Sequence, residues 1–137
     1  ATDHAPHTWE EKSEPYLSAP SGLPLVQHAL QLMLTHHAEG RISLERIVEK
    51  MCHAPSQCFK VKDRGYLDEG AYADIVMFDL AKHQNVTKDN LLYKCGWSPL
   101  EGKTLPGVIE GTWVNGIRLF ESGQVIGEPA GKRLTFG

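Results

Sequence analysis

The sequence predicts an α/β protein, with helices to about residue 61 and a small β unit after it. Three observations predict it. Leu44, Ile47, Val48 and Met51 recur at i, i+3, i+4 and i+7, the stripe of a helix with one apolar face. Around Asp63-Arg64-Gly65 the hydrophobic period falls from about 3.6 residues to 2, the change from helix to strand. Asn115-Gly116 then separates two β-rich runs, Thr112-Trp113-Val114 and Ile117-Arg118-Leu119-Phe120. Asn-Gly at that place is a strong hairpin signal, because both residues accept the positive φ of a type I′ turn.

In chain order, Thr8 to Glu11 fits a capping box, in which each side chain satisfies the other residue's free amide. The turn it starts is short, because Pro15 follows. Ala19-Pro20-Ser21-Gly22 reads as a loop, and Pro24 suits the first position of a new helix. From Leu25 to Leu34 apolar residues cover nearly the whole circumference, so this helix is expected to be buried on most sides. His36 and His37 fall in its last turn and Gly40 closes it. Ser43 is the N-cap expected for the second helix, and Pro55 begins one more turn ending near Phe59. Ala73 to Leu80 and Val108 to Val114 are the strand candidates, residues 81–106 read mostly as loop, and Glu121-Ser122-Gly123 marks a turn before Val125-Ile126.

A formal charge of −3 gives no electrostatic case for nucleic acid or an anionic membrane surface. No apolar run approaches the roughly 18 residues of a membrane-spanning helix. Cys52, Cys58 and Cys95 are odd in number and lack CxxC spacing, so they read as reduced thiols of a cytoplasmic protein.

Asp3 and His7 are the best chemical pair. A carboxylate at a strand end can ligate a metal or accept a proton, and an imidazole four residues on lies beside it if a turn starts at Pro6. The plain alternative is that Asp3 caps a helix and His7 is an exposed loop histidine. His4 points away from Asp3 if the segment is extended. No H-x-H, HExxH or paired-carboxylate motif appears, whereas a catalytic zinc typically takes three protein ligands.

Ala1-Thr2-Asp3-His4-Ala5-Pro6-His7-Thr8, with Glu10-Glu11-Lys12 and Ala19-Pro20-Ser21-Gly22, closely resembles the end of the catalytic barrel in dihydroorotases of the amidohydrolase superfamily. Ala73-Asp74-Ile75-Val76-Met77-Phe78-Asp79, Ser98-Pro99-Leu100-Glu101-Gly102 and Trp113-Val114-Asn115-Gly116 extend the resemblance over essentially the whole chain. The Ala73–Phe78 and Val114-Asn115-Gly116 elements are shared more widely, including by hydantoinases and allantoinases.

The resemblance implies the C-terminal end of a (β/α)8 metal-dependent hydrolase barrel over residues 1–61. Part of a small β-sandwich-like domain would follow over residues 62–137. Ala1 to Asp3 would end the eighth barrel strand, where catalytic groups of such barrels sit, and the chain would be a fragment, inactive alone. The implied reaction is reversible hydrolysis of dihydroorotate to carbamoyl aspartate, in pyrimidine biosynthesis. One or two zinc ions, held mostly by residues outside this chain, would activate water and polarise the amide. By the match, Asp3 would contact the metal and serve as general base, then deliver the proton to the leaving nitrogen. His7 would bind the substrate carboxylate, and the backbone of Ser21 and Gly22 would hydrogen-bond the pyrimidine ring. The implied partners are this small-molecule substrate, the preceding part of the enzyme and a second copy in a homodimer. A hydantoinase- or allantoinase-like hydrolase and a catalytically inactive scaffold are the rival readings.

Overall fold

A computed structural model describes residues 2–137, so Ala1, the first residue of the expected barrel strand, lies outside the described residues. Helix α1 (Trp9–Lys12) is the short turn expected: Thr8 Oγ1 accepts from the Glu11 amide at 3.3 Å, and Glu11 Oε2 accepts from the Thr8 amide at 2.9 Å. Helix α2 (Ala29–Ala38) is entered through a 3-10 turn (Val26–His28), two residues later than Pro24 suggests. It closes at Gly40 (φ +72), where the Gly40 and Arg41 amides donate to the His37 and His36 carbonyls, each at 2.9 Å. That pair of bonds is the Schellman arrangement.

Helix α3 (Leu44–Val48) starts on Ser43, whose hydroxyl accepts from the Arg46 amide at 3.2 Å. A π turn (Glu49–His53) joins it to α4 (Ala54–Cys58). Pro55 explains the wider turn: proline has no amide to donate, and its ring collides with the carbonyl four residues back in a regular α-helix. Only Ile47 of the expected apolar stripe is buried; Val48 and Met51 are exposed.

The β unit is one four-stranded antiparallel sheet in the order β1 (Ile75–Asn85), β2 (Thr104–Val114), β3 (Ile117–Glu121), β4 (Gln124–Val125). It is a single layer, with no second sheet of a sandwich among the described residues. The expected loop at 81–106 is corrected at both ends, since Ala81–Asn85 continues β1 and Thr104–Pro106 opens β2. From Asp79 to His83, β1 advances four residues while β2 moves two, Val108 to Pro106. Pro106, which cannot donate to a ladder, sits at this irregularity. The β2–β3 turn has Asn115 at φ +52 and Gly116 at φ +81, as the Asn-Gly signal requires.

Helix α2 covers the sheet at β2, and the core follows that seam: Leu34 is 1% exposed and Leu105 4%. Gln31 is buried there and satisfied, its amide nitrogen donating to the Gly107 carbonyl and to Gln84 Oε1, both at 3.0 Å. The helix is therefore buried along one side, and Val26 on its entry turn is exposed, unlike the all-round burial its composition suggests. Two further ties act at or just beyond the junction of the helical and β segments. The Arg64 guanidinium pairs with Asp74, donates to Asn115 Oδ1 at 2.6 Å and lies over the Tyr72 ring. The chain end returns to residue 61 through a Val61–Phe136 bridge.

Candidate active site

The four residues singled out for chemistry lie on two segments that run side by side. His4 and Leu23 form an isolated parallel bridge, and the Ala5 amide donates to the Leu23 carbonyl at 3.1 Å. This zipper sets Asp3 and His7 alongside the loop that carries Ser21 and Gly22. It needs Gly22: a Cβ there would collide with the Ala5 side chain, and φ is +98. The glycine thus serves the approach of two backbones before it serves any ligand.

Asp3 is exposed and has φ +46, a left-handed conformation uncommon outside glycine. Among the described residues its carboxylate has no hydrogen-bond partner, and residues 2 and 3 carry no strand pairing. Ser21 is exposed as well. His7 is half-exposed, and its Nδ1 stands 3.4 Å from Glu11 Oε2, while its Nε2 has no hydrogen-bond partner among the described residues. His4 turns the other way, and its Nδ1 accepts from the Leu25 and Val26 amides at 3.2 and 3.4 Å. An imidazole nitrogen in that position does the work of a helix N-cap.

The segment 90–98 braces both halves of this zipper, and nothing local in the sequence marks it. Gln27 donates from Nε2 to the Asn90 carbonyl and accepts from the Leu92 amide, each at 2.8 Å. The Gln27 amide donates to the Tyr93 hydroxyl at 3.0 Å, and the Tyr93 ring packs on both His4 and His28. The Trp97 indole N–H donates to the His7 carbonyl at 2.8 Å, and its ring meets Trp9 edge to face. A cavity of about 480 Å³ opens beside this pair, lined by both indoles with Glu10, Lys88 and Glu101. His28 is 1% exposed; burial holds its imidazole below the ordinary value, and its Nε2 has no partner among the described residues. Burial likewise raises the Tyr93 phenol.

No group of three or more His, Cys, Asp or Glu side chains among the described residues is arranged to hold a metal ion. Asp3 offers one carboxylate where a catalytic zinc typically takes three protein ligands, so these residues do not by themselves fit a zinc centre. No described helix is long and apolar enough to cross a membrane.

The amidohydrolase family model matches residues 1–119, and the chain belongs to that family. It is 35% identical over 98% of its length to a dihydroorotase of Pyrococcus furiosus, and 35% identical over 91% to one of Listeria monocytogenes. It spans 31% and 29% of those relatives, so it corresponds to under a third of each. Among solved structures, a D-hydantoinase (dihydropyrimidinase) from Thermus sp. superposes with a TM-score of 0.86 at 24% identity, over 93% of this chain and 29% of that one. An L-hydantoinase from Arthrobacter aurescens gives 0.74 at 32% identity, over 82% and 25%.

Proposed function

We propose that this chain forms the C-terminal part of a dihydroorotase-like cyclic-amide hydrolase, with residues 1–61 completing a (β/α)8 barrel and residues 62–137 belonging to a small β domain. The observation that carries the reading is the zipper of His4-Ala5 against Leu23, which gathers Asp3, His7, Ser21 and Gly22 onto adjoining backbones. In the complete protein Asp3 takes the proton of the attacking water and returns it to the leaving ring nitrogen, a role open to an ionised carboxylate within one turnover. Zinc is the expected cofactor, with its ligands mostly beyond this chain. His7 presents its free Nε2 edge to the substrate carboxylate. The main chain of Ser21 and Gly22 lies against the ring amides.

Dihydroorotate is preferred to a hydantoin because of His7: a cyclic amide without a carboxylate at that place gives this imidazole nothing to bind. The hydantoinase-type reading rests on the likeness to the Arthrobacter aurescens enzyme. Turnover by the full-length, zinc-loaded protein separates them. Dihydroorotate hydrolysis that disappears in Asp3→Asn, with the fold retained by circular dichroism, is the expected result. Near-normal turnover by Asp3→Asn overturns the proton-transfer role, and preference for a hydantoin overturns the substrate assignment.

A further inference from the structure

We propose that Trp97 is a positioning residue for substrate binding, acting through the backbone of His7. The inference rests on the reading above, in which His7 holds the substrate carboxylate, and adds a residue outside the binding loop that sets where His7 stands. The peptide that follows His7 is fixed at both ends. Its carbonyl accepts from the Trp97 indole at 2.8 Å, and its amide, that of Thr8, donates to Glu11 Oε2 at 2.9 Å. The His7 amide donates in turn to the Ala5 carbonyl at 3.0 Å, so the backbone turns sharply just before the bond to Trp97.

The anchor itself is rigid. Trp97 is 8% exposed, Ser98 beside it is 6% exposed, and the Ser98 amide donates to Glu101 Oε1 at 3.0 Å. The same segment grips the opposite half of the zipper through Tyr93 and Gln27. One brace from the β side therefore fixes both the imidazole-bearing turn and the entry to helix α2. Trp97 has no part in the chemistry. A half-exposed imidazole on a surface turn would otherwise sample many positions, and each would have to be given up when a carboxylate binds.

The test uses the full-length, metal-loaded enzyme and a cycle of Trp97→Phe, His7→Ala and the double variant. Trp97→Phe keeps an aromatic ring against Trp9 and deletes the indole N–H. The expected result is a rise in KM for dihydroorotate of roughly three- to tenfold, the size of one lost neutral hydrogen bond, with kcat changed less than about twofold. In the His7→Ala background the same change should leave KM unaltered. A merely structural role would lower kcat together with the yield of folded enzyme and would act in both backgrounds. If Trp97→Phe does not fold, 3-benzothienylalanine at position 97 replaces the N–H by sulfur in a ring of the same shape and gives the same readout. An unchanged KM in a folded variant, or an equal rise in the His7→Ala background, overturns the positioning role alone. An unchanged KM for His7→Ala overturns the His7 reading and the Trp97 inference with it.

Discussion

Gly107 lies directly beneath Leu34, and a Cβ at position 107 would fall inside 3.0 Å of the Leu34 Cδ1 atom. The glycine also has φ +78, and its carbonyl accepts from the buried Gln31 amide. Helix α2 packs on β2 at this side-chain-free position, and the same helix carries the entry turn that His4 caps. Gly107→Ala strains the backbone and forces the Leu34 Cδ1 methyl to shift. The expected cost is roughly 2–4 kcal/mol, from a left-handed alanine plus one overpacked contact. Urea unfolding of the pair should show the substitution to be less harmful when Leu34 is also Ala; equal costs in both backgrounds would show that the contact is not the cause.

Those features that span three or four residues were legible in the sequence. The Thr8–Glu11 box, the Ser43 cap, the Gly40 closure and the Asn115-Gly116 turn depend on groups close along the chain, and each appears as expected. What the sequence hides is decided by distant partners. Lys82, His83 and Gln84 carry no strand pattern, yet they extend β1 because Pro106 lies opposite His83 and Leu105 opposite Gln84. The apolar run Ile75–Phe78 falls in the expected strand, but its place at an edge of the sheet follows from pairings far along the chain. For the site, Asp3 and His7 stand out by chemistry and spacing and Ser21 and Gly22 by motif resemblance, whereas Trp97 bonds a carbonyl 90 residues away and Tyr93 an amide 66 away. No periodicity encodes such a contact. Gln27 and His28, with Gln31, are the three polar residues in an otherwise apolar run, and they alone hint that this helix has polar partners elsewhere.

His28 links stability to pH. Burial disfavours its charged form, so its pKa in the folded chain lies below the ordinary 6.5. The folded state then binds fewer protons than the unfolded state between the two values. The stabilisation is fully present above about 6.5 and is lost as the pH falls from there through the lowered folded value. Urea midpoints at about pH 7.5 and about pH 5.5 should therefore drop more for the native sequence than for His28→Gln, whose amide does not titrate. Equal drops would mean that the buried ring contributes nothing to acid sensitivity.

Strand β1 leaves Ile75, Val76, Met77 and Leu80 between 37% and 48% exposed on the outermost strand of the sheet. An apolar edge strand with unpaired backbone groups is a template for another strand, and natural sheets protect such edges with charge or cover. Lys82 offers a charge toward the far end, but it is engaged with Glu110 at 2.6 Å and with Asp79 at 3.6 Å, so the stretch from 75 to 80 has no free cation of its own. The 137-residue polypeptide should therefore bind a hydrophobic dye and show concentration-dependent association by light scattering. Val76→Lys should suppress association without lowering the unfolding midpoint by more than about 1 kcal/mol equivalent, because position 76 is already solvent-accessible. A monodisperse, dye-silent native chain would show that this edge is protected by its own twist and needs no covering strand.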